Sequence, residues 1–222
     1  MANATTAALA PAAPTAAFWD DACRHLSRRD RVMKKLIARF VDGRLESRGD
    51  AFTTLARAIV GHQISTRAAQ TIWDRFVVLT ANSSHSLQPT SVLALDAPQI
   101  RAAGLSARKV EYLCDLAQHF ASSTVHVVEW QHMDDESIIE ELVAIRGIGR
   151  WTAEMFLIFH LLRPNVLPLD DAGLIKGISV NYFSGEPVSR AEAREVGDAW
   201  APFRSVATWY IWRSLDPLPL NY

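Results

Sequence analysis

The sequence predicts an all-α fold. Apolar residues recur at three- and four-residue spacing through most of the chain, and small polar residues stand where helices would begin. Strand propensity is confined to 124–128 (Thr-Val-His-Val-Val), which lies isolated between helical patterns and reads as a connector. With 222 residues and 49% hydrophobic content, the chain is long enough to bury one or two cores. Its formal net charge of −1 lacks the basic excess common in nucleic-acid-binding domains. Total charge does not report a local electropositive strip, so the class stays open. No apolar run reaches membrane-spanning length. The two cysteines, Cys23 and Cys114, sit far apart in apolar-periodic segments and read as buried free thiols, with a disulfide as the alternative.

Residues 1–17 are Ala/Pro/Thr-rich without apolar periodicity and read as a loose tail, with order beginning near Phe18-Trp19. From there to Phe40, Leu26, Met33, Ile37 and Phe40 share a helical face. The same segment carries Arg24, Arg28, Arg29, Arg31, Lys34, Lys35 and Arg39, read as the solvated side of a packed helix. After a break at 43–48, Phe52, Leu55, Ala56, Ile59 and Val60 form a stripe that ends at Gly61-His62-Gln63-Ile64-Ser65. Ser65 is placed to cap the next helix, in which Ala68, Ile72, Trp73 and Phe76 repeat. The polar stretch 81–89 reads as a loop. Ser106 is a second N-cap, followed by Val110, Leu113, Cys114 and Ala117. Near the C-terminus, Ala191, Val196 and Trp200 are read as the apolar side of a helix, and Pro202-Phe203-Arg204 opens the last one.

The stretch 142–155 organises the rest. Acidic residues 134–136 and the apolar positions Ile138, Ile139, Leu142 and Val143 predict one helix; Trp151, Met155, Phe156 and Phe159 predict another. Between them, Gly147-Ile148-Gly149 makes a tight turn in which glycine permits left-handed backbone and close approach of another molecule. The amides at Gly149, Arg150 and Trp151 then open a helix N-terminus suited to an anion, although an αα-hairpin with a glycine C-cap fits these residues equally well. Downstream, Asp170-Asp171 precedes Ala172-Gly173-Leu174-Ile175-Lys176, and either carboxylate can cap that helix.

Together the hairpin and the Asp-containing segment resemble the helix-hairpin-helix (HhH-GPD) DNA glycosylase superfamily, in the branch typified by 3-methyladenine DNA glycosylase II. The likeness extends from about Phe52 onward. It includes Val60-Gly61-His62-Gln63-Ile64-Ser65, the helix start from Gly104 to Lys109, and the final Pro202-Phe203-Arg204-Ser205-x-Ala207-x-x-Tyr210-Ile211-Trp212.

This resemblance implies two helical lobes flanking an active-site cleft. One would span 48–162, with the wedge loop and the hairpin; the other would combine 18–47 with 163–222. It implies a glycosylase acting on double-stranded DNA with damaged bases, as a monomer with no membrane. Such an enzyme would be cytoplasmic and nucleoid-associated in a bacterium, or nuclear in a eukaryote. In the family register Asp171 is the catalytic carboxylate, stabilising oxocarbenium character at C1′ or orienting water. Asp170 would support or cap.

Base flipping requires a filler for the gap, and the loop register puts the wedge at Gln63 with His62 and Ile64 beside it. Trp212 aligns with the family's pocket tryptophan, where an electron-rich ring suits a cationic alkylated purine. Trp151 stands close by, in the position of the Schiff-base lysine of bifunctional members. An indole cannot form that adduct, so the resemblance implies base release without strand cleavage. A pocket tyrosine of the branch is replaced by Met155, which implies a wider or less selective pocket.

Gly147, Gly149, Trp151 and Thr152 would hold a phosphate beside the lesion. The carbonyls of Val143, Ile145 and Gly147 would take a Na+ or K+ ion against it. No other cofactor is implied, and the iron–sulfur cluster of the endonuclease III branch lacks its cysteines here. Two rival readings remain: a glycosylase for neutral lesions such as uracil or ethenoadenine, and a non-catalytic DNA-binding module.

Overall fold

The computed structural model describes residues 16–47, 49–80 and 87–215, and these contain helices and no β-strand. In chain order the helices are α1 (Trp19–Arg29), α2 (Arg31–Arg39), α3 (Ala51–Gly61), α4 (Thr66–Thr80), α5 (Pro89–Leu93) and α6 (Ala97–Ala102). They continue as α7 (Ala107–Ala121), α8 (Asp135–Val143), α9 (Arg150–Phe159), α10 (Ala172–Tyr182), α11 (Arg190–Asp198) and α12 (Arg204–Leu215). None is long and apolar enough to cross a membrane among the described residues.

Local chemistry sets most of the boundaries. Asp50, Asp96, Ser106, Asp134, Asp171 and Ser189 each accept a backbone amide of the first turn they precede. Each such cap is worth about 1 kcal/mol relative to alanine. Ser65 plays the same part for α4, accepting from the Ala68 amide at 3.3 Å.

Several boundaries differ from those the sequence suggests. Trp19 to Phe40 is two helices, because Asp30 is extended (φ −134°, ψ 121°) and accepts the amides of Val32 and Met33. The apolar stripe hides this break: Leu26 and Met33 stay seven residues apart and both remain buried. The basic residues of this segment are exposed, as a solvated face requires. Ala16 is already buried, its amide donating to the Leu45 carbonyl at 3.2 Å, while 1–15 of the expected tail lie outside the described residues. Of the expected loop 81–89, residues 81–86 also lie outside them; Leu87 is buried and Pro89 opens α5. On α11 the inward residues are Ala193 and Gly197; Ala191 is exposed, and Trp200 is buried just beyond the helix end. Cys23 and Cys114 are free and half-buried rather than fully enclosed.

The main helix contacts fall into two groups. α1 and α2 pack on each other and on α12, which packs on α10, with α11 against α10. α3 to α9 pack among themselves, around α3 and α7. In the first group α12 is buried all round from Ser205 to Arg213, so its core comes from both sides. In the second, Phe52, Phe120, Trp130 and Phe156 form a chain of ring contacts at 5.3, 6.5 and 5.5 Å. Burial of each such ring contributes roughly 1.5–3 kcal/mol. α10 and α12 cross closely because Gly177 has no side chain: a Cβ there would lie 2.2 Å from Ile211 Cγ2. That crossing brings the first turn of α10 beside Trp212.

Candidate functional site

Asp171 sits at the N-terminus of α10, where members of both helix groups converge on it. Its Oδ1 accepts the Leu174 amide at 2.6 Å and the Trp212 indole N–H at 2.8 Å, and its Oδ2 accepts the Trp151 indole N–H at 2.9 Å. The residue as a whole is 9% exposed. Three donors on two oxygens suit an ionised carboxylate, which only accepts. The arrangement also selects between the adjacent aspartates. Asp170 points away and pairs with Arg190, so it neither caps α10 nor joins the indoles.

Two rings define the surface beside the carboxylate. Trp212, 4% exposed, stacks on Phe159 with centroids 5.6 Å apart and planes 16° from parallel. Trp151 is 37% exposed even though its N–H is engaged, so an apolar face remains open to solvent. Met155 is buried one turn along α9. Phe159, read from sequence only as a periodic core position, belongs with these residues. Its place eight residues after Trp151 and four after Met155 is the signal that puts all three on one helical face. Gly173 is a second unforeseen participant, since a Cβ there would stand 3.0 Å from Asp171 Oδ1 and 3.3 Å from the Trp212 indole.

The hairpin is formed by α8, the turn at Gly147 (φ +89°) and α9, whose N-cap is Gly149. Gly147 needs both its backbone conformation and its missing side chain, because a Cβ would collide with Tyr112 at 2.3 Å. Gly149 has ordinary backbone (φ −93°), and a Cβ there would meet no protein atom within 4 Å. No side chain caps α9, and the amides of Arg150, Trp151 and Thr152 donate to no protein acceptor among the described residues. The N-terminus therefore has open space and free donors for an anion. The Thr152 side chain does not take part: it is buried, its Oγ1 3.4 Å from His62 Nε2.

The carbonyls of Val143 and Gly147 accept no backbone bond among the described residues, while that of Ile145 accepts the Ile148 amide at 3.1 Å. Two of these three carbonyl oxygens therefore have no backbone donor among the described residues. Arg150 is held by Glu136 at 2.8 Å and by Glu154 at 3.2 Å. Burial pushes the Glu154 carboxyl up, against the pull of Arg150, and its Oε2 is buried without a hydrogen bond.

The loop after α3 brings His62 against the first turn of α9, its Nε2 3.4 Å from Thr152 Oγ1, with Gln63 and Ile64 following it in the chain. Gln63 and Ile64 are exposed, and Gln63 adopts left-handed backbone at φ +59°. His62 is half-buried; burial first, and then the charge of Lys109, lower its pKa, so the ring is neutral near pH 7. Lys109 stands in the helix-start motif from Gly104, but its contacts with this loop were not legible there.

Comparison with known proteins fits this geometry. The sequence profile described as "HhH-GPD superfamily base excision DNA repair protein" matches residues 56–202, more than half of the chain. The chain belongs to the HhH-GPD superfamily. Among HhH-GPD relatives, DNA-3-methyladenine glycosylase 1 of Schizosaccharomyces pombe is 32% identical over 194 residues, covering 86% of this chain and 85% of the relative. A solved structure of S. pombe 3-methyladenine DNA glycosylase in complex with abasic DNA superposes with a TM-score of 0.74 at 30% identity, covering 90% of this chain and all of that one. A Bacillus halodurans DNA-3-methyladenine glycosidase structure gives a TM-score of 0.78 at 32% identity, covering 86% and 87% of the two chains. An 8-oxoguanine glycosylase/lyase of Clostridium acetobutylicum, at 15% identity and a TM-score of 0.69, shares the fold.

Proposed function

We infer that this protein is a monofunctional DNA glycosylase that removes alkylated bases of the 3-methyladenine and 7-methylguanine class from duplex DNA, in base excision repair. The observation that carries the reading is the Asp171 carboxylate, held by two indoles and a helix N-terminus beside the hairpin of a superfamily defined by base excision repair.

The chemistry follows from that placement. An N3- or N7-alkylated purine carries positive charge, so it leaves with the bonding electrons and needs no added proton. As the glycosidic bond lengthens, charge grows on the sugar, and the Asp171 carboxylate stabilises it from a fixed position. Water adds at C1′ and gives up a proton, leaving an abasic sugar and a free base. Trp151, whose ring is open to solvent, offers a π face to the cationic base, an attraction of about 0.5–2 kcal/mol, and the buried stack of Trp212 on Phe159 backs the pocket beside it. Met155 contributes polarizable but less electron-rich surface, in keeping with a tolerant pocket. No lysine stands at position 151, so the sugar is attacked by water rather than by an amine.

DNA would be gripped through the phosphate beside the lesion, bound to the free amides that open α9. The carbonyls of Val143, Ile145 and Gly147 would hold a Na+ or K+ ion, whose charge would offset that of the phosphate. Gln63, with His62 and Ile64, would fill the gap left by the flipped nucleotide. The protein would work as a monomer wherever the genome lies, in bacterial cytoplasm or a eukaryotic nucleus.

The test is release of free 3-methyladenine and 7-methylguanine from methylated duplex DNA, followed by chromatography. Release supports the reading. Tight DNA binding without release would favour a binding module, and release only of uracil or ethenoadenine would favour the neutral-lesion enzyme.

A further inference from the structure

The loop carrying Gln63 is poorly held by its own backbone. Its two internal bonds, His62 N–H to the Ile59 carbonyl and Ile64 N–H to the Gly61 carbonyl, are both 3.4 Å long. Gln63 between them is a non-glycine residue in left-handed backbone, which costs about 1 kcal/mol or more and persists only where the surroundings impose it.

The imposing group is Lys109. Its Nζ donates to the Val60 carbonyl at 2.7 Å and to the His62 carbonyl at 2.8 Å. These carbonyls stand at the end of α3 and just before Gln63, so one ammonium closes the turn from behind. The carbonyls at a helix C-terminus lack intrahelical partners and carry partial negative charge, which a cation stabilises. Lys109 is itself fixed: its amide donates to the Ser106 cap of α7 at 3.3 Å, and its side chain is partly buried. On the far side, His62 reaches Thr152 in the first turn of α9. The loop is thus tied to α7 behind and to the hairpin in front.

We propose that Lys109 is the positioning residue of the wedge: its two hydrogen bonds to the Val60 and His62 carbonyls fix the left-handed turn that presents Gln63, so holding a nucleotide out of the duplex depends on Lys109. This rests on the reading of Gln63 as the wedge in a DNA glycosylase. Lys109 touches no reacting atom; it acts through the loop.

The experiment compares single-turnover excision of 7-methylguanine from a fully paired duplex with excision from the same sequence carrying the lesion in a three-nucleotide mismatch bubble. The bubble keeps duplex flanks for the hairpin while removing most of the cost of extrusion. Lys109→Met keeps the aliphatic stem and loses both bonds, Lys109→Arg keeps a cation able to reach two carbonyls, and Gln63→Ala removes the wedge.

The paired-to-bubble rate ratio is expected to fall at least ten-fold in Lys109→Met and in Gln63→Ala, and to recover in Lys109→Arg. A general folding defect would slow both substrates alike and leave the ratio unmoved. A lowered ratio in Gln63→Ala with a wild-type ratio in Lys109→Met would overturn the positioning role while leaving the wedge intact. An unmoved ratio in Gln63→Ala would remove the wedge and the proposal with it. No excision of either substrate by the wild type would instead refute the glycosylase reading on which both depend.

Discussion

Gly173→Ala separates the stability of this fold from the geometry of its site. Gly173 is the second residue of α10, where alanine gains up to about 1 kcal/mol in helix propensity. The new methyl would lie 3.0 Å from Asp171 Oδ1 and 3.3 Å from Trp212 Cδ1 and Nε1, inside comfortable contact distance. Neither neighbour can swing away cheaply. Asp171 is held by three donors, and Trp212 is buried and stacked on Phe159. The mismatch is relieved by a shift of a few tenths of an ångström in the carboxylate and the indole. Overpacking of that size costs about 1–2 kcal/mol, which the propensity gain largely offsets. Net destabilisation of about 1 kcal/mol or less corresponds to a fall in Tm of roughly 2–4 °C for a chain of this length. Catalysis has no such compensation. A 1 Å misplacement costs on the order of a hundred-fold, so a few tenths of an ångström should cost roughly three- to ten-fold. Thermal unfolding and single-turnover excision of 7-methylguanine measure the two effects separately. An unchanged rate would refute the claim that Asp171 and Trp212 are fixed against each other at Gly173.

Other perturbations address the remaining parts. Gly147→Ala forces alanine to φ +89° and into Tyr112, so Tm should fall by roughly 5–15 °C, for a cost of about 2–4 kcal/mol. Gly149→Ala meets no protein atom; it should leave Tm within about 2 °C yet weaken binding to abasic duplex roughly ten-fold by anisotropy, and equal effects from the two variants would contradict the hairpin geometry. Borohydride added during turnover should trap no covalent complex with DNA, because Trp151 offers no amine; a trapped adduct would overturn monofunctional hydrolysis. His62 has a lowered pKa in the fold, so below its unfolded value of about 6.5 the unfolded chain binds the proton that the fold excludes. Its contribution should make urea stability decline from pH 7 to pH 5.5, with a shallower decline in His62→Asn; an identical slope in the variant would show that the ring is not held neutral.

Much of the fold can be read from spacing, because α3, α4, α7, α8, α9 and α12 each carry an apolar pattern that a helix of 3.6 residues per turn makes continuous. The Asp30 break escapes that reading. A cap is a matter of one residue's φ and ψ, and Leu26, Met33 and Ile37 keep helical spacing across it. The site was legible where chemistry depends on side-chain identity, as at Asp171, Trp151 and Trp212. It was illegible where the function is shape. Gly173 matters because two side chains crowd the space that a Cβ would fill, and Thr152 turns inward to His62 instead of outward. Lys109 acts on carbonyls 47 and 49 residues away in the chain, a contact that no local pattern encodes.

Asp171→Asn distinguishes a carboxylate that performs the chemistry from one that merely caps α10. Asparagine keeps an oxygen for the Leu174 amide and the Trp212 indole but turns an NH2 toward the Trp151 N–H, so one hydrogen bond is lost, at about 1–2 kcal/mol. Release of methylated bases from methylated duplex DNA should fall at least a hundred-fold in a variant that still folds and binds abasic duplex as wild type does. Release within a few-fold of wild type would leave Asp171 a helix cap and place the catalytic group elsewhere.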